Sequence, residues 1–241
     1  MKSWAWLYPR LLAFLRHNAA LLTLLGVGIA VPWFIFLEVA EDIWESGGFI
    51  GDQPILRYFH QLTTPTLNQV ALALTTVGGP WVMSTLGGLI VAVLWWRNRH
   101  TDAMFFLASV GGAVVLNVLA KLLFGRPRPA LWDSIAPAKF YSFPSGHAMG
   151  SAALATALSF LLWQKSWRWL AWIAGFLFAL GVGLSRVYLG VHYPSDVLAG
   201  WVCSVGWVAG LHLFFSPYFG RLRTWWKTGL GYWNRYVDNS K

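Results

Sequence analysis

Three short segments of the chain combine cations, histidines and a carboxylate at spacings that suit phosphate chemistry. They are residues 121–129, 144–147 and 185–196. A phosphate monoester is dianionic, and the charge on its equatorial oxygens must be held through the transition state. Lys121, Arg128 and Arg186 supply three cations, and each of the two guanidinium groups is able to contact a pair of oxygens. The segments together predict a phosphate-binding site.

The second segment reads Pro-Ser-Gly-His and stands directly before an apolar run. Ser145 is a favourable N-cap residue, which predicts that Gly146 and His147 form the first turn of a helix. Free backbone N–H groups and the positive end of that helix would then point toward a bound anion. Gly146 has no side chain to block the close approach of a phosphate.

The third segment places a histidine and a carboxylate four residues apart at the start of the last apolar run. Pro194 suits the first turn of a helix there. Asp196 is then able to accept the Nδ1–H of His192, which leaves Nε2 free as a nucleophile. His147 is the remaining histidine able to protonate a leaving oxygen and then to activate water. The two histidines suffice for double displacement through a phosphohistidine.

The composition predicts that a membrane surrounds these residues. Hydrophobic residues make up 57% of the chain and charged residues 11%, which is less than half the usual share in soluble domains. Many of the 17 tryptophans flank apolar runs, as is typical of membrane interfaces. The net charge of +9 does not predict nucleic-acid binding, because the basic residues cluster in short connections without interleaved aromatics. Cys203 lies alone in an apolar run, and no cluster has zinc spacing, so we expect neither metal nor cofactor.

Six apolar runs are candidates for membrane spans. They cover residues 18–37, 67–96, 103–123, 146–163, 167–184 and 194–215. Gly78, Gly79 and Pro80 interrupt the second run, which is either a kinked span or a short surface helix that leads into a span beginning near Trp81. An acidic connection is expected after the first run. It contains Glu38, Glu41, Asp42, Glu45 and Asp52. The predicted fold is all-α, a polytopic membrane protein with six transmembrane helices and interfacial N- and C-terminal segments.

The basic residues also predict an orientation. Most of them lie in the loops on the side of both termini, which is therefore expected to be cytoplasmic. The opposite loops carry a smaller set that includes the three phosphate-binding candidates. This set is Arg57, Lys121, Arg126, Arg128, Lys139 and Arg186. The site is thus expected on the outer face, and Arg126 is interpreted as a side chain that only reaches back to the interface.

Taken together, the three segments resemble the signature motifs of the type 2 phosphatidic acid phosphatase superfamily. These motifs are written K-x6-R-P, P-S-G-H and S-R-x5-H-x3-D, and every fixed position is matched in order. The resemblance implies one domain over residues 1–241, with the motifs between residues 121 and 196. It implies His192 as nucleophile, Asp196 as its partner and His147 as general acid. It also implies a phosphate-binding group made of Lys121, Arg128, Ser145, Gly146 and Arg186.

The implied activity is hydrolysis of the terminal phosphate of a membrane lipid, with lipid phosphate and membrane lipids as partners. The substrate stays open among phosphatidic acid, phosphatidylglycerol phosphate and undecaprenyl pyrophosphate, and no oligomeric state is predicted. Transfer of the phosphoryl group to another acceptor is an alternative, since a phosphohistidine serves both fates. A non-catalytic lipid-binding or transport protein is a further alternative. The six spans argue against the soluble vanadium haloperoxidases, which share this anion site. The expected location is a bacterial inner membrane.

Overall fold

A computed structural model of the chain describes residues 19–215, and every regular element in that range is a helix. The all-α class is therefore confirmed for the described residues. The expected interfacial segments at both termini, and the basic residues within them, lie outside this range. Helix α1 (Ala19–Thr23) continues through a π-helical segment (Leu24–Ala30) into α2 (Val31–Ser46). The remaining helices are α3 (Asp52–Gln61), α4 (Pro65–Val77), α5 (Pro80–Trp96), α6 (His100–Phe124), α7 (Gly146–Leu161), α8 (Arg168–Tyr188) and α9 (Pro194–Phe215).

Several of these helices are long and apolar enough to cross a membrane. Four stretches between residues 19 and 215 meet that condition individually, namely Leu21–Ser46, α6, α8 and α9. Helices α4 and α5 meet it together as a fifth span, bent by 44° at the break between them. Helix α7 has 16 residues, which at 1.5 Å per residue makes it about 24 Å long. The protein is an integral membrane protein, with four or five spans by these criteria.

The break between α4 and α5 lies at the interruption seen in the sequence. Gly79 has the extended conformation (φ −71°, ψ 156°), and Pro80 begins α5. A proline has no N–H to donate and disfavours a helical residue before it, so the helix cannot continue through this point. A Cβ atom on Gly78 would lie 2.4 Å from Val182, which shows how closely α4 approaches α8. The break therefore belongs to a bent pair of helices packed on α8.

The expectation of an acidic connection after the first span is wrong. Four of the five acidic residues are exposed on α2, which continues to Ser46. These four are Glu38, Glu41, Asp42 and Glu45. The helix ends only where Gly47 adopts the left-handed conformation (φ 79°), because exposed glutamates are compatible with a helix and a left-handed glycine stops it. The fifth residue, Asp52, is not exposed at all but buried at the start of α3.

Small residues allow α7 to lie at the centre of the bundle, in contact with α6, α8 and α9. Its buried face carries Ala148, Ser151, Ala152, Ala153 and Ala157. Small side chains permit the close backbone approach on which helix packing in membranes depends. Helix α9 comes so close that a Cβ atom on Gly200 would lie 2.9 Å from the carbonyl oxygen of Ser145. This packing brings the ends of α6 and α8 together with the beginnings of α7 and α9.

Candidate active site

The predicted site residues meet where four helices have their ends. Lys121 is in the last turn of α6, Ser145 precedes α7, Arg186 is in the last turn of α8 and Asp196 is in the first turn of α9. The Lys121 side chain lies close enough to Arg128, Asp196 and Arg186 to interact with each of them electrostatically. Residues from three segments far apart in sequence therefore form one cluster.

The geometry around His192 determines which of its ring nitrogens carries the proton. The Nε2 atom lies 3.0 Å from Nη1 of Arg128, and Nδ1 lies 3.4 Å from Oδ2 of Asp196. A guanidinium group has only donors, so Nε2 must accept from Arg128. The proton of the neutral ring is therefore on Nδ1, facing the Asp196 carboxylate, and this tautomer follows from the partners.

The environment of His192 keeps the ring neutral. The residue is only 1% exposed, in the turn between α8 and α9. Burial lowers the pKa of His192 to about 3, because an imidazolium would lose its hydration there. The hydrogen bond and the charge of Asp196 raise this pKa, whereas the Arg128 and Arg186 charges lower it further. At neutral pH the ring has a lone pair on Nε2, as a nucleophile requires.

Two of the cations are held by backbone carbonyl groups, which belong to the segment after the first motif and to the residue before His192. Arg128 donates from Nη2 to the carbonyl of Lys139 at 3.0 Å and from Nη1 to that of Val191 at 2.7 Å. Lys121 donates from Nζ to the carbonyl of Tyr141. Burial lowers the pKa of Arg128, which nevertheless stays a cation because arginine titrates far above neutral pH. These contacts fix Arg128 beside His192 and Lys121 within the same cluster.

Two buried donors in the cluster have no hydrogen-bond partner among the described residues. They are Oγ of Ser145 and Nε of Arg186. Helix α7 begins at Gly146, as the sequence predicts, but the Ser145 side chain makes no capping bond to it. Buried polar groups without partners are costly and call for an explanation. A phosphate oxygen is an acceptor of the kind that both donors need.

His147 and Arg186 share one neighbour that the sequence analysis missed. Arg186 donates from Nη1 to Oγ1 of Thr75, and the His147 ring lies beside the backbone of the same residue. Thr75 is buried on α4, next to the break before α5. A threonine in an apolar helix has no distinguishing pattern, so only the fold reveals this role. Thr75 therefore contacts both Arg186, a phosphate-binding candidate, and His147, the candidate general acid.

Gly146 also leaves room for a side chain of a neighbouring helix. A Cβ atom there would lie 3.1 Å from Oδ1 of Asn117 on α6, so the missing side chain admits Asn117 on that side. Asn117 donates from Nδ2 to the carbonyl of Pro144 at 3.0 Å and lies 3.2 Å from Sδ of Met149. The polar side chain of α6 thus fixes the Pro-Ser-Gly-His segment against the helix that follows it.

The interpretation of Arg126 as an interfacial side chain is wrong. The residue is 5% exposed, and its Nη1 lies 2.6 Å from Oδ1 of Asp196. Its Nη2 lies 2.7 Å from Oδ2 of Asp52, which is also buried. A buried arginine needs partners that compensate for its lost hydration, and here two carboxylates supply them. The sequence contains no local signal for this, because Asp52 is distant from both partners along the chain.

An apolar cavity of about 260 Å³ opens beside His147, between α5, α6 and α7. Its lining includes Pro80, Met83, Val110, Val114 and Gly150. In the part of the chain that the structure describes, no three His, Cys, Asp or Glu side chains are arranged to hold a metal ion. The site thus combines cations, two histidines and an adjacent apolar space.

A membrane-embedded helical bundle with this cluster at its helix ends defines a class of membrane phosphatases. Residues 102–219 match the PAP2 superfamily, and the chain belongs to that family. The protein is therefore a hydrolase that acts on phosphate groups.

Two relatives and a solved structure that match this chain are also named as phosphatases. Phosphatidylglycerophosphatase B of Bacillus subtilis is 29% identical over 188 residues, which cover 76% of this chain and 89% of that protein. Undecaprenyl-diphosphatase of Sulfolobus acidocaldarius is 31% identical over 153 residues, which cover 61% and 69%. The crystal structure of a transmembrane PAP2 type phosphatidylglycerolphosphate phosphatase from Bacillus subtilis matches with a TM-score of 0.71 and 26% identity. That match covers 77% of this chain and 94% of that one.

Proposed function

We propose that this protein hydrolyses the terminal phosphate of a membrane lipid through a phosphohistidine formed on His192. The observation that carries the proposal is the arrangement of that ring between Arg128 and Asp196. A neutral imidazole with its proton on Nδ1 directs the Nε2 lone pair toward the cluster of cations. A phosphate bound by those cations would present its phosphorus atom to the lone pair.

The phosphate-binding group consists of the residues whose positive charge or free donors face this cluster. Lys121, Arg128 and Arg186 offset the charge of the phosphate oxygens, and the backbone N–H groups of Gly146 and its neighbours add the positive end of α7. The buried donors without partners, Oγ of Ser145 and Nε of Arg186, support this assignment. On phosphate binding, Arg128 exchanges its contact with Nε2 for a phosphate oxygen, because a charge-assisted bond to an anion is the stronger one.

The reaction takes place in two displacements. Nε2 of His192 attacks phosphorus, the bond from phosphorus to the lipid oxygen breaks, and His147 donates a proton to that oxygen. Water then attacks the phosphohistidine while His147 accepts its proton, the N–P bond breaks, and inorganic phosphate leaves. Asp196 accepts the hydrogen bond from Nδ1–H of His192 and stabilises the positive charge on the ring between the two steps. The three cations supply the charge stabilisation throughout, so the mechanism needs no metal.

A lipid is the proposed substrate because the site adjoins apolar surfaces. The cavity beside His147 is lined mainly by apolar side chains, and leucines of α6 near Lys121 are more than half exposed on the outside of the bundle. The relatives named above act on phosphatidylglycerol phosphate or undecaprenyl diphosphate, as their names state. Phosphatidic acid completes the set of substrates to compare, since all three present a terminal phosphate at the interface.

The proposed topology has six spans in one domain over residues 1–241, with both termini cytoplasmic. Helix α7 is the span that the length criterion leaves out. It is short, but its central position in the bundle supports a crossing there. The four helix ends of the site then lie at the outer face of a bacterial inner membrane. The excess of basic residues in the loops on the side of the termini supports this orientation.

The test is trapping of the intermediate on purified protein in detergent. Each of the three lipids, labelled in its terminal phosphate, is mixed with enzyme and quenched in alkali, where phosphohistidine survives. We expect labelled protein and phosphate release with at least one lipid, and loss of both in His192→Ala. His60→Ala is the matched control, because His60 stacks on Trp132 at the outer surface. A His192→Ala enzyme that keeps more than about one hundredth of kcat, a loss below about 3 kcal/mol, contradicts the assignment.

A further inference from the structure

We propose that Arg126 and Asp52 are positioning residues for the nucleophile, acting on His192 through Asp196. This inference rests on the proposed function, in which His192 attacks phosphorus. Neither residue belongs to the signature motifs, and neither touches the ring of His192. Their effect is to orient the Asp196 carboxylate and to determine how much of its negative charge the histidine experiences.

The contacts form one continuous buried chain. Oδ2 of Asp52 lies 2.7 Å from Nη2 of Arg126, and Nη1 of Arg126 lies 2.6 Å from Oδ1 of Asp196. The second oxygen of Asp196, Oδ2, accepts the backbone N–H of Tyr193 at 2.9 Å and faces Nδ1 of His192. Because Arg126 occupies Oδ1, the carboxylate is held with Oδ2 toward the ring. Arg126 thus performs for Asp196 the orienting role that Asp196 performs for His192.

The charges of the chain explain why two carboxylates surround one arginine. With Asp52 and Asp196 ionised and Arg126 protonated, the three side chains carry a net charge of −1 next to a neutral histidine. Formation of the N–P bond makes the ring cationic, and this net negative charge stabilises it. Without the Asp52 charge, Arg126 would neutralise Asp196, and these side chains together would present no net charge to the ring. The net negative charge stabilises the transition state more than the ground state. Its loss should therefore lower kcat and leave KM almost unchanged.

Arg126 is held in place by the segment between α2 and α4 and by the ring of Tyr193. Nε of Arg126 donates to the carbonyl of Gly47 at 3.1 Å, and its guanidinium carbon lies 4.1 Å from the centre of the Tyr193 ring. A Cβ atom on Gly48 would lie 1.8 Å from Nη2, so only glycine fits at this position. Asp52 in turn accepts the backbone N–H of Ser195 at 3.0 Å. The segment between α2 and α4 is therefore connected to the start of α9 through Asp52 and Arg126.

The experiment compares variants that remove a charge of the pair with a variant that keeps it. Asp52→Asn removes the charge with almost no change in size, and Arg126→Lys keeps the charge that Arg126→Gln removes. Asp102→Asn is the matched control, because Asp102 forms an ion pair with Arg99 at 2.6 Å at the opposite end of α6. Each variant is purified, and kcat, KM, the inhibition constant of inorganic phosphate, the rate of phosphoenzyme formation and the thermal unfolding midpoint are measured.

For Asp52→Asn we expect kcat and the rate of phosphoenzyme formation to fall by about tenfold to a hundredfold. KM and the phosphate inhibition constant should stay within about threefold, because the phosphate-binding cations are unchanged. Arg126→Lys should retain more activity than Arg126→Gln, and Asp102→Asn should behave as wild type. If an Arg126 variant does not fold, Asp52→Asn decides the matter by the same criteria.

Two results overturn the inference. One is an Asp52→Asn enzyme with wild-type kcat. The other is a kcat that falls only together with phosphate affinity and the unfolding midpoint, which would show a purely structural role. Failure of the proposed function is distinguishable, because it appears in the wild type as absence of phosphoenzyme or in His192→Ala as retained turnover.

Discussion

Arg128 donates to the Nε2 atom of His192 across 3.0 Å, so a permanent cation lies on the atom that is proposed to attack phosphorus. This contact keeps the ring in one tautomer and opposes its protonation, since a second positive charge at Nε2 would lie against the guanidinium group. It also places one of the proposed phosphate-binding cations within one hydrogen bond of the proposed nucleophile. Under this proposal, adjacent atoms would bind the phosphate and attack its phosphorus.

The stability of the protein should depend on pH through His192. Its folded pKa of about 3 lies below the value of about 6.5 in an unfolded chain, so between these values only the unfolded state binds the proton. The free energy of unfolding then decreases as the pH falls from 6.5 toward 3, by up to about 1.4 kcal/mol per pH unit from this residue. The thermal unfolding midpoint of His192→Gln should fall less between pH 7 and pH 5 than the midpoint of the wild type. Midpoints that fall in parallel, after correction for their difference at pH 8, would contradict the buried neutral ring.

The elements of the site that follow from local signals could be predicted from the sequence. Helices α7 and α9 begin at Gly146 and Pro194 as expected, because the preference for serine at the N-cap position and for proline in the first turn depends on residues within one turn, even though the Ser145 side chain makes no capping bond. The interruption before Pro80 is real for the same reason. Spacing within one turn also anticipates the pair of His192 and Asp196.

The remainder of the site depends on contacts between distant segments. Thr75 and Asn117 are single polar residues in apolar helices, and nothing in their neighbourhood indicates that they hold His147 and Pro144. The position of Arg126 near the end of a span predicts an interfacial side chain, whereas two distant carboxylates pair with it inside the protein. The acidic residues of α2 show the converse, because a run of carboxylates predicts a connection although exposed carboxylates are compatible with a helix.

Activity should survive removal of divalent metals. In the proposed mechanism the phosphate charge is offset by Lys121, Arg128, Arg186 and the N-terminal end of α7, which is the role that Mg²⁺ has in many phosphoryl transfer enzymes. We expect phosphate release in EDTA to equal that without chelator, and vanadate to inhibit as a mimic of phosphate. Loss of turnover in EDTA with recovery on addition of Mg²⁺ would refute the mechanism.

The two ends of the bundle should label from opposite sides of the membrane. Asp133 is exposed in the segment between α6 and α7, and Gln164 is exposed in the short connection between α7 and α8. In spheroplasts, Asp133→Cys should react with a membrane-impermeant thiol reagent, and Gln164→Cys should react only after permeabilisation. The native Cys203 is buried, so the wild type serves as the unlabelled control. The reverse pattern would place the site on the cytoplasmic side, and equal labelling of both would mean that α7 does not cross.

The separate roles of His147 and His192 should appear when the leaving group is changed. An alkyl lipid phosphate leaves as a strongly basic alkoxide that needs a proton, whereas p-nitrophenyl phosphate leaves as a stabilised phenolate. The His147 ring lies beside the backbone of Thr75 on α4, and it takes no part in the pairing of His192 with Asp196. His147→Ala should therefore slow phosphoenzyme formation from the lipid far more than from the activated ester. His192→Ala should abolish both.

A rapid-quench measurement of the nitrophenolate burst distinguishes these cases, with the wild type establishing that the ester is a substrate. Steady turnover of the ester by His147→Ala is expected to remain slow, because the same residue activates water in the second displacement. The burst itself should persist with an amplitude near one per active site. If His147→Ala loses the burst as completely as His192→Ala, then His147 is not a general acid. The contact of Thr75 with both His147 and Arg186 would then identify His147 as a part of the phosphate-binding group.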